Sequence, residues 1–145
     1  MVSRVIPVDD FDLVIFGGTG DLAMRKLLPA LYRRFAAKQV PESSRIIGLS
    51  RSEINTAEFR EEAKAALHKF IPDTELDESI LADFLLMLDY RCNDVTDPDG
   101  WSELVELLDE QPDQIRVFYL AVGPALFGVI AKGLAKNGLA QCNGR

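Results

Sequence analysis

Hydrophobic and polar residues follow two recurring patterns along the chain: short apolar runs, and longer stretches with helical spacing. The run Asp12–Phe16 (DLVIF) is almost wholly apolar and ends at a glycine, as expected of a strand buried on both faces of a sheet. Ile115–Val122 (IRVFYLAV) is the clearest run of this kind. We predict strands over residues 12–16, 45–49, 88–93 and 115–122.

Between these runs, hydrophobic residues recur at steps of three and four, which is the spacing of one helix face. The first such stretch covers residues 24–35, and Pro29 predicts a kink within it because proline lacks a backbone N–H. Further helices are expected over residues 56–70, 77–86, 98–110 and 124–136. Asn55 or Thr56 would cap the first of these. Asp97 would cap the third, with Pro98 as its first residue.

The resulting order, βαβα(α)βαβα, predicts an α/β fold with a parallel sheet, since each crossover must return the chain across the sheet. The expected class is a Rossmann-like, doubly wound sheet that binds its ligand at the carboxyl ends of the strands. The 145 residues have the size of one domain, spanning 1–145. Such a sheet ordinarily adds another strand next, so we expect the domain to be cut short before a fifth strand.

A glycine-rich turn lies between the first predicted strand and the first helix. It contains, in order, Gly17, Gly18, Thr19, Gly20, Asp21, Leu22 and Ala23. It reads as G-x-G-x-x-A from Gly18 and as G-x-x-G-x-x-A from Gly17. Glycine suits a tight turn and lets a pyrophosphate approach the backbone, while the following helix directs free N–H groups at that phosphate. The turn predicts a dinucleotide site, with a purely structural turn as the alternative.

The end of the second strand bears on the choice between NAD and NADP. Sites that prefer NAD place an acid there for the ribose 2′-hydroxyl, whereas an arginine accommodates a 2′-phosphate. Residues 48–52 read GLSRS, and the first acid is Glu53. Arg51 can make a charge-assisted bidentate contact with a phosphate, and Ser52 and Thr19 can add hydroxyl donors. The stretch favours NADP, unless Arg51 is a solvated loop arginine.

Two further strand ends could contribute to the site. At the end of the third strand, where an adenine ring usually lies, Asp94 could accept from an exocyclic amine while Val95 packs on the ring. Asp94 and Asp97 could equally serve only to shape the turn and cap the next helix. The small residues over 121–124 would let a ribose and nicotinamide pass close to the backbone, or would simply form a strand-to-helix turn.

Composition excludes several classes of function. Acidic residues outnumber basic ones, 23 to 16, and the net charge of −7 argues against a nucleic-acid surface. No apolar run approaches the roughly 18 residues that span a bilayer, and residues 1–10 do not form a signal peptide. Cys92 and Cys142 have neither metal-site nor disulfide spacing. We therefore expect a soluble, reduced, cytoplasmic protein that binds neither nucleic acid nor membrane.

The residues described so far resemble the glucose-6-phosphate dehydrogenase family. The similarity is carried by FGGTGDLAMRKLLPAL over 16–31, GLSR over 48–51, YRCNDVTD over 90–97 and FYLA over 118–121. The resemblance implies an NADP-dependent oxidoreductase of the pentose phosphate pathway, homo-oligomeric at full length, which oxidises glucose 6-phosphate to 6-phosphoglucono-lactone. It places nucleotide contacts on Gly17, Gly18, Thr19, Gly20, Asp21, Leu22, Ala23, Arg51, Ser52, Asp94 and Val95.

The match also assigns a role to Lys26, which aligns with a family lysine that reaches toward the substrate phosphate. From the residues alone, Lys26 could equally be a solvated helix lysine. The family's substrate signature and its catalytic histidine have no counterpart here, because the single histidine, His68, lies outside any such motif on the polar side of a helix. The resemblance thus implies the NADP-binding domain alone, without catalytic residues, with glucose 6-phosphate bound mainly by a part of the enzyme absent from this chain.

Two other classes of protein are alternatives to a dehydrogenase domain. A short-chain reductase needs Y-x-x-x-K, but the residues four places after the three tyrosines are Ala36, Asp94 and Gly123. A free-standing module that senses NADP(H) or regulates a partner is compatible with the chain length. The expected absence of a fifth strand argues against such a free-standing module.

Overall fold

The computed structural model describes residues 9–139, which form a parallel sheet with helices on both faces. The strands are β1 (Phe11–Phe16), β2 (Arg45–Ser50), β3 (Leu88–Cys92) and β4 (Ile115–Leu120). The helices are α1 (Leu28–Ala36), α2 (Thr56–Phe70), α3 (Glu78–Met87), α4 (Ser102–Asp109) and α5 (Phe127–Lys136). The predicted fold class and element order are confirmed. Residues 1–8 and Cys142, which bear on the signal-peptide and disulfide expectations, lie outside the described residues.

The sheet order is β3-β2-β1-β4, with β1 paired in parallel to β2 on one side and to β4 on the other. The chain therefore changes its direction across the sheet between β3 and β4. Helices α1, α2 and α3 pack on one face around Ile15, Tyr32 and Phe59, and α4 and α5 pack on the other around Phe16 and Trp101. This switch opens a crevice at the carboxyl ends of β1 and β4, where such folds bind ligands.

The helix after the glycine turn begins with a π-helical turn over Ala23–Leu27 and continues as α1. The N–H of Leu28 donates to the carbonyl of Ala23, five residues earlier. Pro29 follows directly, within this continuous helix, where it has no N–H to donate to the carbonyl four residues earlier. The irregularity that Pro29 predicts thus takes the form of a wider helical turn on its N-terminal side.

Helix α4 begins later than the sequence predicts, at Ser102 rather than Pro98, and Asp97 does not cap it. The side chain of Asp97 instead accepts from the N–H of Asp99 at 3.0 Å, and its carbonyl accepts from the N–H of Gly100 at 3.0 Å. Aspartate side chains that bind nearby N–H groups in this way stabilise turns in competition with helix. Residues 97–100 are therefore a turn.

Strand β4 is less buried than its apolar sequence predicts. Ile115, Val117 and Tyr119 share one face and are 37%, 45% and 40% exposed. These side chains are exposed because the change of direction in the sheet places α4 and α5 on the opposite face of β4, the face of Phe118 and Leu120. No helix within residues 9–139 covers these three side chains. Phe127, at the first position of α5, is also exposed.

A buried ion pair fixes the amino ends of β1 and β2. The Arg45 guanidinium donates to both carboxylate oxygens of Asp12 at 2.8 Å, and Asp12 is fully buried. Arg45 also donates to the carbonyl of Leu107 in α4 at 2.9 Å. The hydrogen bond from Arg45 to Asp12 is the main cause that raises the pKa of the arginine. The pair lies at the end of the sheet opposite the crevice.

Candidate dinucleotide-binding site

The first two glycines of the turn are required by its packing. Gly17 has φ +83°, and a Cβ there would lie 2.4 Å from the carbonyl oxygen of Ala121, just after β4. A Cβ on Gly18 would lie 2.8 Å from the Cα of Gly48 in β2. Both N–H groups, of Gly17 and of Gly18, donate to the carbonyl of Leu49, at 2.8 and 2.9 Å. The turn therefore packs closely between the carboxyl ends of β2 and β4.

Gly20 is in a different situation, since the nearest atom to a Cβ there would be the carbonyl oxygen of Gly17 at 3.2 Å. Ala23, three residues on, is fully buried against the sheet. A tight turn at Gly17, a position at Gly20 less crowded than Gly17 but without room for an unstrained Cβ, and close packing at Ala23 match the three roles of a dinucleotide fingerprint. The spacing that fits is G-x-x-G-x-x-A counted from Gly17.

The start of the helix faces solvent. Asp21 and Leu22 are exposed, and Asp21 pairs with Arg25 at 3.3 Å. Lys26 is exposed on the π-helical turn. The first N–H groups of a helix have no partner within it, so this end can receive an anion.

A cleft of about 320 Å³ opens beside the turn, at the carboxyl ends of the strands. It brings together five of the predicted nucleotide contacts, Gly17, Thr19, Arg51, Ser52 and Val95, and Val122 from the predicted stretch 121–124. The rest of its lining consists of Phe16, Leu49, Ser50, Asn93, Leu126 and Ile130. Gly18, Gly20, Asp21, Leu22, Ala23, Asp94 and Lys26 do not belong to this lining. The volume is at the low end for ligand pockets, about 300–1,000 Å³, and suits part of a dinucleotide.

Arg51 is the one charged side chain in this lining, and it is exposed at the end of β2. It has no ion pair within residues 9–139. Asp94 lies near enough for its pKa to be lowered by Arg51, although hydrogen bonds from Thr96 lower it more. The Thr96 hydroxyl and N–H donate to Asp94 at 2.6 and 3.0 Å. Asp94 thus shapes its own turn, which was one of the two predicted roles.

Three hydroxyl groups connect the glycine turn to the ends of β2 and β3. The hydroxyl of Thr19 donates to Ser50 Oγ at 3.0 Å, and Ser50 Oγ lies 2.6 Å from Tyr90 Oη. We call Thr19, Ser50 and Tyr90 the hydroxyl chain. Tyr90 is buried, and this burial raises the pKa of its phenol above the ordinary value. Ser50 and Tyr90 were missed from the sequence, although a tyrosine at a buried strand position signals a hydrogen-bond partner.

Asn93 was also missed, and it forms part of the cleft wall. Its side-chain N–H donates to the carbonyl of Gly100 at 2.7 Å, which fixes the orientation of the amide. Its Oδ1 is buried and has no hydrogen-bond partner among the described residues. Buried acceptors are rarely left unsatisfied. An orphaned acceptor at this position fits a ligand that brings an N–H donor, such as the amine of adenine.

These features can be compared with known proteins. A family model described as "Glucose-6-phosphate dehydrogenase, NAD binding domain" matches residues 14–145. The chain belongs to this family. The match covers the glycine turn, the hydroxyl chain and every residue of the cleft. In that family this region is the part that binds a nicotinamide dinucleotide.

Among curated relatives, glucose-6-phosphate 1-dehydrogenase of Rhizobium meliloti (strain 1021) is 45% identical over 145 residues, which is 100% of this chain and 30% of the relative. The enzyme of Mycolicibacterium smegmatis is 43% identical over 92% of this chain and 28% of its own length. The crystal structure of the Mycobacterium avium enzyme has a TM-score of 0.81 at 32% identity, over 92% of this chain and 28% of that one. A glucose-6-phosphate dehydrogenase in complex with glucose 6-phosphate has a TM-score of 0.80 at 27% identity, over 99% of this chain and 30% of that one.

The chain thus spans about 30% of the length of the glucose-6-phosphate dehydrogenases it matches. The part that they share with it is the dinucleotide-binding sheet. As for membranes, none of the helices described within residues 9–139 is long and apolar enough to cross one.

Proposed function

We propose that the chain binds NADP in the cleft and acts as the cofactor-binding domain, residues 1–145, of a glucose-6-phosphate dehydrogenase. The observation that carries this proposal is Arg51. Its unpaired cation is the one charge in the cleft lining, at the strand end where an NAD site would place a carboxylate. A 2′-phosphate would gain a charge-assisted contact there and meet no acid in the lining.

The remaining parts of the cofactor have matching surroundings. The turn residues from Gly17 to Ala23 would hold the pyrophosphate, because glycine at position 20 places no side chain between the backbone and the phosphate and the helix start supplies free N–H groups. Ser52 and Thr19 would contact the phosphate groups and ribose. Val95 would pack on the adenine, with Asp94 beside it.

The proposed reaction is hydride transfer from C1 of glucose 6-phosphate to the nicotinamide of NADP, which supplies the hydride acceptor. The role of this chain is to bind and orient the cofactor. Lys26, exposed on the π-helical turn, would reach toward the substrate phosphate. The other substrate contacts, the catalytic base and the contacts of a homo-oligomer would belong to the rest of a longer enzyme, in the cytoplasm.

Isothermal titration calorimetry with NADP and with NAD tests this proposal. A hydrogen bond to a charged group contributes about 1.5–3 kcal/mol, which is a roughly tenfold to hundredfold preference for NADP. Arg51→Ala should remove that preference. Arg34→Ala is the matched control, because it removes another exposed arginine, from α1, outside the cleft lining. Equal affinity of the unmodified chain for both cofactors would contradict the proposal.

A further inference from the structure

The ring of Tyr90 is fixed between two elements. Tyr90 is 2% exposed, and its ring centroid lies 5.2 Å from that of Phe59 in α2. Gly48 makes room for this contact, since a Cβ there would lie 2.6 Å from Cζ of Phe59. The backbone N–H of Tyr90 donates to the hydroxyl of Thr56 at 3.2 Å. The ring therefore has one orientation, which carries its hydroxyl to the carboxyl end of β2.

The hydrogen bonds of this hydroxyl can be assigned a direction. Tyr90 Oη lies 2.7 Å from the carbonyl oxygen of Ser52 and 3.2 Å from that of Ser50, and both can only accept. Tyr90 must therefore donate to the carbonyls, and Ser50 Oγ, 2.6 Å away, donates to Tyr90. Ser50 Oγ in turn accepts from the Thr19 hydroxyl at 3.0 Å and from the Ser52 N–H at 3.2 Å. Every proton in the hydroxyl chain has an acceptor.

This network holds the backbone on both sides of Arg51. Before Arg51, the Ser50 carbonyl lies 3.2 Å from Tyr90 Oη. After Arg51, the Ser52 N–H donates to Ser50 Oγ, and the Ser52 carbonyl accepts from Tyr90. Arg51 has a long exposed side chain whose freedom is lost when it binds a phosphate. A backbone that already points the side chain at the cleft reduces this cost, whereas a loosened backbone must be ordered during binding.

We propose that Tyr90 is a positioning residue for 2′-phosphate selectivity: its hydroxyl holds residues 50–52 so that Arg51 faces the cleft, without itself contacting the cofactor. This inference rests on the proposed NADP function. Loss of the hydroxyl should weaken NADP more than NAD, because NAD lacks the group that Arg51 would bind. A role in stability alone would not alter the ratio of the two affinities.

Tyr90→Phe tests the inference, and Tyr32→Phe is its matched control. Tyr32 is 1% exposed and does not line the cleft. Its hydroxyl accepts from the Asp77 N–H at 3.0 Å and donates to the Asp77 carbonyl at 3.3 Å. Both variants lose one buried hydroxyl that binds backbone. By calorimetry, Tyr90→Phe should lower the ratio of NADP to NAD affinity roughly fivefold, the effect of one hydrogen bond. Tyr32→Phe should keep the ratio of the unmodified chain.

An unchanged ratio in Tyr90→Phe, or an equal loss of both affinities, would overturn the inference. Absence of any NADP preference in the unmodified chain would instead overturn the proposed function, so the two failures are distinguishable. Ser50→Ala breaks the same chain of hydrogen bonds and carries the test if Tyr90→Phe does not fold. In the double variant the two effects should not add, because both act through one network. Additive losses would also contradict the proposal.

Discussion

A Cβ atom at Gly17 would meet the Ala121 carbonyl oxygen at 2.4 Å, whereas one at Gly20 would meet only the Gly17 carbonyl oxygen, at 3.2 Å. Gly17 also has a positive φ, which L side chains rarely adopt. At the scale of single residues, the fold therefore requires glycine at position 17. Position 20 is less crowded than position 17, and under the proposed function the pyrophosphate lies beside it.

Gly20→Val should abolish NADP binding while the chain still folds, because the branched side chain would fill the space proposed for the pyrophosphate. Gly17→Val is the contrasting variant, and it should lose native structure through backbone strain and collision. Far-UV circular dichroism reports the fold, and calorimetry reports the binding. A folded Gly20→Val that binds NADP normally would show that the pyrophosphate lies elsewhere.

At the scale of elements, α2 has the best-defined start, and this start follows directly on the loop that carries Arg51. The Asn55 side chain accepts from the Glu58 N–H at 2.8 Å, and the Glu58 carboxylate accepts from the Asn55 N–H at 3.2 Å. This reciprocal capping box satisfies two N–H groups that would otherwise lack partners. It also fixes where the loop from β2 ends.

Asn55→Ala should lower the free energy of unfolding by about 0.5–2 kcal/mol, because the first turn of α2 loses its side-chain acceptor. Asn55→Ser keeps an acceptor and should retain most of the stability. Urea denaturation followed by circular dichroism measures both. If alanine and serine at this position are equally destabilising, the cap contributes less than the geometry indicates.

The elements that could be predicted are those whose pattern is local. The β1 run ends at the predicted Phe16, and Asn55 caps α2 as one of the two predicted candidates, because burial and capping both depend on neighbouring residues. Helix α4 was predicted too early, since Asp97 can cap a helix or close a turn and sequence spacing does not distinguish these. The exposure of Val117 could not be foreseen, because it depends on which face the later helices cover.

The same distinction applies to the candidate site. The glycine turn and Arg51 have local signals, and the structure brings Gly17, Thr19 and Arg51 to one cleft. The bond between Ser50 and Tyr90 joins residues 40 positions apart, so no periodicity or spacing reports it. Only the pairing of β2 with β3 puts them side by side.

At the scale of the whole molecule, the described lining of the cleft contains no histidine, carboxylate or lysine that could act as a base. His68 is the single histidine, and it lies exposed in the last turns of α2, where it contacts Glu78 at 3.3 Å. Helix α2 begins beside Tyr90, whose carbonyl accepts from the Thr56 hydroxyl. One turn later Arg60 donates to the carbonyl of Leu88, so the helix runs toward the amino end of β3. This orientation directs His68 away from the cleft.

The chain alone should therefore show no glucose-6-phosphate dehydrogenase activity at saturating NADP. Removal of the hydroxyl proton needs a positioned base, and orientation of the sugar needs more than Lys26. The measurement is the absorbance of reduced nicotinamide after glucose 6-phosphate is added to purified chain, with a parallel preparation of Lys26→Ala. Turnover that scales with chain concentration and disappears in Lys26→Ala would contradict this expectation.

Binding of the NADP 2′-phosphate by Arg51 is tested most directly by ³¹P NMR of the bound cofactor. A phosphate monoester has a second pKa of about 6, and a nearby cation lowers it by stabilising the dianion. With NADP saturated by the chain, the 2′-phosphate resonance should titrate at a lower pH than in free NADP, and Arg51→Ala should reduce this difference. A 2′-phosphate that titrates identically in bound and free NADP would contradict the account.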